Sequence, residues 1–105
     1  MSRPTENMFR SPLDFLERPL MMWTILQIYK HPDQRVTAYM TAGGRNSVVN
    51  RRISELRDAG YVTAEQQALY NAKTLSLTDD GMVIARAIDR LLRQYRTARK
   101  GHDEQ

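Results

Sequence analysis

The clearest hydrophobic pattern in the chain lies in residues 46–59, where Val49, Ile53 and Leu56 recur at spacings of four and three. This spacing places the three apolar side chains on one side of an α-helix, because successive helical residues turn by about 100°. A pair of glycines precedes the segment and Gly60 follows it, and glycine is common where the backbone turns into or out of a helix. The pattern therefore predicts an amphipathic helix bounded by two turns.

The opposite side of this predicted helix changes character along its length. Its N-terminal half carries Ser47, Val48, Arg51 and Ser54, whereas its C-terminal half carries acidic residues. A helix that enters a DNA groove by its N-terminal end has this polarity, because its first turns meet bases and phosphates. A surface helix with scattered charges has a similar composition, so the helix alone leaves both interpretations open.

Apolar patterns also predict the elements on either side. Residues 19–30 are apolar on almost every side, which is typical of a central buried helix. Residues 73–77 alternate polar and apolar, and with the β-prone segment 61–64 they predict a hairpin. Further short elements are expected as helices at residues 13–18 and 37–42 and as a strand around Val36. The predicted fold class is mainly α with a small β-hairpin (α+β).

The last apolar pattern predicts a long C-terminal helix that starts after the cap residue Thr78 and runs to about Lys100. Its apolar residues step by four, three and four, as in a coiled-coil seam, and are Ile84, Ile88, Leu91 and Tyr95. The far side carries Arg86, Arg90, Arg93, Arg96 and Lys100. The last turns extend past the core that one small domain offers, so a dimer interface is favoured over packing within the same domain.

Length and composition fit a single small domain. The chain has 105 residues, of which 41% are hydrophobic, an ordinary share for a globular protein. The expected organisation is a flexible arm at residues 1–10, the main domain at 11–80, the dimerisation helix at 81–100 and a polar tail at 101–105. No apolar run approaches the roughly 18 residues of a membrane span, and the first residues lack an apolar signal core. A cytoplasmic protein without a membrane partner is therefore expected.

Residue types that carry catalysis or metal binding are scarce. The chain has no cysteine, and His31 and His102 belong to no cluster with ligand spacing. No Ser/His/Asp set, phosphate-cradling glycine loop or paired-carboxylate arrangement stands out. We therefore expect no enzyme activity, no metal and no cofactor. The net charge of +4 and the pI of about 9.8 mildly favour a polyanionic partner.

Two motifs resemble those of winged helix-turn-helix transcription regulators of the MarR, PadR and HxlR groups. In these groups the recognition helix typically ends in a leucine, two or three polar residues, a glycine and an apolar residue, as in the segment 46–62. The wing then closes on a leucine, a threonine, two variable residues and a glycine, matched by Leu77-Thr78-Asp79-Asp80-Gly81. The similarity covers roughly Pro19 to Leu92. It implies a winged helix-turn-helix with a long C-terminal helix.

The resemblance further implies a homodimeric, nucleoid-associated regulator that inserts its third helix into the major groove of double-stranded DNA. Arg51 is the expected main base reader, since a guanidinium can bond two acceptors of guanine. Ser47 and Ser54 are expected to assist at bases or phosphates, and Val48 to meet a thymine methyl group. The residues expected to hold phosphates are Arg45, Asn46, Asn50 and Arg52. The wing is expected to touch the minor groove or backbone through Gln66, Gln67, Asn71 and Lys73.

Two other functions stay open at the level of sequence. A winged helix can serve as a protein-docking module, here with its basic last helix engaging an acidic partner, since fold does not fix function. A small-molecule sensor with a pocket between the first helices and the last helix is the third possibility, although no convergent polar set supports it. A basic band that runs unbroken from the third helix to the wing would favour DNA. A band broken by Glu55, Asp58 and Glu65 would favour a protein partner.

Overall fold

The part of the chain that the structure describes forms five helices and three short strands. The computed structural model describes residues 13–43, 46–67 and 72–103. In chain order the elements are α1 (Leu13–Leu16), α2 (Met21–Lys30), β1 (Gln34–Arg35), α3 (Val36–Gly43), α4 (Asn46–Asp58), β2 (Val62–Gln67), β3 (Ala72–Leu77) and α5 (Asp79–Asp103).

Helix α2 forms the centre of the core, as its apolar composition predicted. It contacts all four other helices and β3, and its Met21, Ile25 and Ile28 side chains are buried. It begins at Met21 rather than at Pro19, where the predicted helix began, because Leu20 adopts a left-handed backbone with a φ of 64°. Thr24 donates its backbone N–H and its hydroxyl to the Leu20 carbonyl, at 2.9 and 2.6 Å. The first turn of α2 therefore holds the strained residue that precedes it.

Helix α4 matches the predicted amphipathic helix to within one residue at its C-terminal end. Its buried residues include the three predicted ones, Val49, Ile53 and Leu56. Two backbone bonds close its end: the Gly60 N–H donates to the Arg57 carbonyl at 3.1 Å, and the Tyr61 N–H donates to the Leu56 carbonyl at 2.9 Å. This pattern needs a left-handed residue, and Gly60 supplies it with a φ of 83°.

The predicted hairpin is present, and its strands are longer than predicted. β2 and β3 pair antiparallel from Val62 opposite Leu77 to Gln67 opposite Ala72. Gln66 and Gln67 therefore belong to β2, whereas the β-prone segment predicted from the sequence ended at residue 64. The alternation of polar and apolar residues underestimated the length of the strands, because polar residues near the tip of a hairpin can continue the ladder of hydrogen bonds.

A third strand extends the sheet, in the order β1-β3-β2. Within it, Arg35 lies opposite Thr74 of β3, and the Asp33 N–H donates to the Leu75 carbonyl at 2.9 Å. The strand predicted around Val36 is thus misplaced by one residue, since Val36 begins α3. This strand ties the first helix of the helix-turn-helix, α3, to the hairpin.

Tyr39 closes the turn between α2 and α3. Its hydroxyl donates to the His31 carbonyl and accepts from the Gln34 N–H at 3.4 Å. Burial raises the pKa of the Tyr39 hydroxyl, the hydrogen bond from Gln34 partly opposes the change, and the nearby Asp33 carboxylate adds to it. The phenol is therefore neutral at physiological pH and links the two helices.

Thr78 joins the end of the hairpin to the start of α5. Its hydroxyl accepts from the Gly81 N–H at 3.1 Å and so caps the helix, as predicted. The same hydroxyl donates to the Gly60 carbonyl at 2.7 Å, and the Thr78 N–H donates to the Tyr61 carbonyl at 3.0 Å. One threonine thus fastens the end of α4, the hairpin and α5 to one another.

Helix α5 continues to Asp103, past its predicted end near Lys100. Its 25 residues give a length of about 37 Å, at 1.5 Å per residue. The N-terminal half packs on α2 through the buried residues Ala85 and Ile88. From Arg93 to Gly101 every residue is exposed, so the last turns extend beyond the body of the domain.

Candidate nucleic-acid interface

The outer face of α4 contains most of the residues predicted to read DNA. Its exposed members are Ser47, Asn50, Arg51 and Ser54, and Val48 is half-buried beside them. Their spacing of three and four residues places them on one side of the helix, away from the core. Two predicted neighbours have no described side chain: Arg45 lies outside the described residues, and only the backbone of Asn46 is described.

Arg52 does not lie on this face, and its contacts inside the domain argue against the predicted role as a phosphate contact. Only 8% of the residue is exposed. Its Nε donates to the Pro19 carbonyl at 2.9 Å, and its Nη1 pairs with the Glu55 carboxylate. A turn of about 100° from Arg51 carries its side chain over the start of α2. The charge of Arg52 is thus balanced inside the domain rather than offered to a ligand.

Glu55 belongs to the same cluster. One of its carboxylate oxygens pairs with Arg52, and the other pairs with Nη1 of Arg18, from the turn between α1 and α2. The Arg18 guanidinium also lies 5.1 Å from the centroid of the Phe15 ring. Glu55, one of the acids that would break a basic band, is therefore matched by two arginines.

The hairpin, or wing, places Gln66 and Lys73 opposite each other on β2 and β3. Both side chains are exposed. Gln67 is described by its backbone alone, and Asn71 lies outside the described residues. The wing thus brings a lysine and an amide side chain to paired positions of its two strands, and both side-chain types can contact DNA phosphates.

Two exposed arginines near this face were not predicted. Arg57 follows Ser54 by one helical turn and borders an open groove of about 540 Å³ between α4 and β2. The three-residue spacing from Ser54 was a signal that could have identified it. Arg35 is brought beside the wing by its pairing opposite Thr74. No local pattern signals that arrangement, because the pairing joins residues far apart in sequence.

The described charges around this face alternate in sign. The cations are Arg35, Arg51, Arg57 and Lys73, and the exposed acids are Asp58 and Glu65. A guanidinium stays charged at any physiological pH and carries five N–H donors, so the face can bond both phosphates and base edges. The basic band is interrupted at the end of α4 and on β2, but not at Glu55.

The residues of the predicted dimer seam divide into two groups along α5. Ile88 is buried and Ile84 half-buried, whereas Leu91 and Tyr95 are 60% and 55% exposed. An apolar groove of about 300 Å³ runs between α2 and α5, lined by Met22, Leu26, Ile88, Leu91, Leu92 and Tyr95. The first half of the seam therefore belongs to the core of the domain, and the second half faces outward.

Other chemistry has little support in the residues that the structure describes. Within them, no three His, Asp or Glu side chains are grouped so that they could hold a metal ion. None of the described helices is both long and apolar enough to cross a membrane. The described interface thus offers hydrogen-bond donors and charge rather than a metal centre.

Comparison with known proteins gives matches in structure only. No family model matches the sequence, and a search of curated proteins finds no significant match. A possible HxlR family transcriptional factor from Thermoplasma volcanium is 22% identical with a TM-score of 0.73, over 94% of this chain and 87% of that one. Streptococcus pneumoniae FabT in complex with DNA is 23% identical with a TM-score of 0.69, over 81% and 59%. The S. aureus MepR–DNA complex is 16% identical with a TM-score of 0.70, over 82% and 64%.

These likenesses establish the fold. The chain is a winged helix-turn-helix, mainly α with a small antiparallel sheet, as the order of elements and the two motifs predicted. In this fold α3 and α4 are the two helices of the helix-turn-helix, and the β2–β3 hairpin is the wing. The chain spans 59% of FabT and 64% of MepR, so it corresponds to a part of those longer proteins.

Proposed function

We propose that this protein is a sequence-specific regulator of transcription that binds double-stranded DNA as a homodimer in the cytoplasm. The observation that carries the proposal is the outer face of α4, where Ser47, Asn50, Arg51 and Ser54 are exposed together beside the wing. Two structures that share this fold are described as complexes with DNA, FabT and MepR. In this proposal, α4 enters the major groove by its N-terminal half.

Each residue of the face has a role that follows from its chemistry. Arg51 reads guanine, because its guanidinium can donate to O6 and N7 together, and Val48 meets a thymine methyl group. Ser47 and Ser54 bond bases or phosphates. The phosphate contacts that set the register of the protein on DNA come from Arg45, Asn46 and Asn50. Arg57 is added to the phosphate contacts predicted from the sequence, and Arg52 is left out of them. The wing contacts the minor groove or backbone through Gln66, Gln67, Asn71 and Lys73.

The dimer forms along α5 in this proposal. Leu91 and Tyr95 are large, exposed and one helical turn apart, and they continue an apolar groove that already contains Ile88. A second copy packed along Ile84, Ile88, Leu91 and Tyr95 would remove mainly the exposed Leu91 and Tyr95 side chains from water, which is the main driving force for association. A two-fold dimer would place its two α4 helices at half-sites about 34 Å apart, one turn of DNA.

One observation favours the alternative of a protein-docking module. The outer side of α5 exposes Arg86, Arg90, Arg93, Arg96 and Lys100, and Asp58 and Glu65 interrupt the basic band at the wing. Of these arginines, Arg93 pairs with Asp89 at 3.1 Å. An acidic protein could bind along this side of the helix through the rest. Such a complex would form without DNA and would not need Arg51.

Binding to duplex DNA tests the proposal directly. A duplex selected from a random pool, or the region upstream of the protein's own gene, is titrated at two salt concentrations beside a scrambled duplex. The proposal expects tighter binding to the selected sequence, and an affinity that falls steeply with salt, by about 0.9 in log K per log salt for each phosphate contact. A flat salt dependence with no sequence preference would point to the docking module.

A further inference from the structure

Helix α1 and the turn that follows it contact the start of the wing and α4, respectively, on the side opposite the exposed face of α4. Arg18 pairs with Glu55, and the Pro19 carbonyl accepts from Arg52 at 2.9 Å. The Phe15 ring packs on the Tyr61 ring with a centroid distance of 5.9 Å, at an angle of 58°. We call Arg18, Pro19, Arg52 and Glu55 the clasp. None of these residues belongs to the exposed face of α4 that carries Arg51.

The clasp is a charge network at the edge of the core. The side chains of Arg52, Glu55 and Arg18 are 10%, 25% and 42% exposed, so the network runs from the interior to the surface. A guanidinium this far from water needs acceptors in fixed positions, and Arg52 has the Pro19 carbonyl and the Glu55 carboxylate. Any rotation of α4 about its axis would separate these partners, so the network favours one orientation of the helix.

The other half of the clasp is a rigid turn. Proline fixes its own φ, and the next residue, Leu20, is held in a left-handed conformation with a φ of 64°. The Met21 N–H donates to the Arg18 carbonyl at 2.9 Å, and Thr24 donates twice to the Leu20 carbonyl. The turn thus presents the Pro19 carbonyl to Arg52 in a direction that the backbone itself defines.

We propose that Glu55 and Arg18 are positioning residues for sequence reading. They hold α4 at the rotation about its own axis that aims Arg51 at base edges, although neither residue touches DNA. This inference rests on the proposed function of α4. Base readout needs placement to within about 0.5 Å, whereas a long cation can reach a phosphate from many positions. Loosening the clasp should therefore reduce the preference for the correct sequence more than the affinity for DNA in general.

Opposite charge changes give a sharp test of this inference. Glu55→Gln removes a negative charge from α4, so plain electrostatics predicts tighter binding to every duplex. Arg18→Ala removes a positive charge, so plain electrostatics predicts weaker binding to every duplex. The clasp predicts instead that both variants lower the ratio of affinities for the selected and scrambled duplexes, by about tenfold. Because Arg18 pairs with α4 through Glu55, which also pairs with Arg52, the double variant should lose no more of this ratio than Glu55→Gln alone.

Glu17→Gln is the matched control. Glu17 is exposed, adjoins Arg18 and carries the same charge as Glu55, but the structure assigns its side chain no contact with α4. It should leave the affinity ratio unchanged. Thermal unfolding of each variant, followed by circular dichroism, sets a temperature at which all are folded for the titrations.

The outcomes separate this inference from the proposed function. If Glu55→Gln binds both duplexes more tightly and keeps the ratio of the unmodified protein, Glu55 acts only through its charge and the positioning role is overturned. If Arg18→Ala and Glu55→Gln lower the ratio additively, they do not act through one contact and the clasp is overturned. If the unmodified protein itself shows no preference for any duplex, the proposed function fails, and the inference fails with it.

Discussion

Gly81 lies directly beneath the carbonyl of Tyr61, so that a Cβ atom on Gly81 would stand 2.1 Å from the Tyr61 oxygen. Real Cβ atoms do not approach a backbone oxygen so closely. The glycine that ends the Leu-Thr-x-x-Gly motif is therefore required by the contact between α5 and the start of the wing. Its helical backbone could accept another residue, but its surroundings could not.

Gly81→Ala should lower the free energy of unfolding by about 1–3 kcal/mol or more, since the backbone of Tyr61 must move to admit the methyl group. The control is Gly101→Ala in the same helix, where nothing beyond the local helix backbone and the two adjoining residues lies within 4 Å of the added Cβ. Alanine is the better helix former there and should add up to about 1 kcal/mol. Urea unfolding followed by circular dichroism measures both. Equal effects of the two variants would contradict the close approach at Tyr61.

Arg52→Ala should destabilise the fold by about 1–3 kcal/mol, because it removes the partner of the Pro19 carbonyl and one of the two partners of Glu55. Arg51→Ala is its control, with the same residue type one position earlier in the same helix. Arg51 is exposed, and its replacement should change the stability by no more than about 0.5 kcal/mol. Chemical denaturation without DNA decides the matter. The prediction fails if the two variants unfold at the same denaturant concentration.

Arg51→Ala and Lys73→Ala should separate base reading from phosphate binding. Loss of Arg51 should weaken binding to the selected duplex by about 1–3 kcal/mol per half-site and barely affect a scrambled one. Loss of Lys73 should weaken binding to both duplexes equally and lower the salt slope by roughly one per subunit. Fluorescence anisotropy titrations at several salt concentrations measure both effects. An equal loss on both duplexes for Arg51→Ala would show that this residue does not read sequence.

Leu91→Ala and Tyr95→Ala should weaken the proposed dimer without unfolding the domain. Both side chains are more than half exposed, so their truncation removes little of the core within one chain. If a partner buries them, each truncation should weaken the dimer by about 2 kcal/mol or more. Val83→Ala is the control, since Val83 is 64% exposed and does not line the apolar groove. Sedimentation velocity gives the result. A monomer at micromolar concentration for the unmodified protein would rule out this interface.

Tyr39 should make the fold sensitive to alkaline pH. The folded state raises the pKa of the phenol above its ordinary value of 10.0, mainly through burial, so the neutral form is favoured in the fold. The stabilisation is complete below the pKa of the unfolded chain, and it is lost as the pH rises from about 10 through the raised pKa of the folded state. Tyr39→Phe should remove this part of the alkaline loss, although it leaves the His31 carbonyl without its donor. Unfolding free energies at pH 8 to 11 test the difference in slope between Tyr39→Phe and the unmodified protein.

Local patterns predicted the elements whose structure depends on their own residues. The apolar stripe of α4, its glycine stop and the cap at Thr78 all act over one or two helical turns, and each is present as predicted. The burial of α2 followed from its composition in the same way. These features need no knowledge of what the rest of the chain does.

Contacts between distant segments set the limits of that prediction. A helical wheel places Arg52 on a flank but cannot show that Pro19 covers it, because the two are 33 residues apart. The same holds for Arg35, which reaches the wing only through the pairing of β1 with β3. The exposed side of a helix is thus predictable from sequence at its centre, and much less so at its borders, where the neighbouring element decides which side chain is covered.

Helix α5 is uninterrupted, so a change of its angle at one end displaces its other end. This helix of about 37 Å starts at the joint where Thr78 and Gly81 meet the end of α4 and the start of the wing; its first half packs on α2, and its residues 93–101 are exposed. A tilt of about 5° at the joint displaces the far end of a helix of that length by about 3 Å. The angle at which α5 leaves this joint is therefore coupled to the position of its exposed C-terminal end.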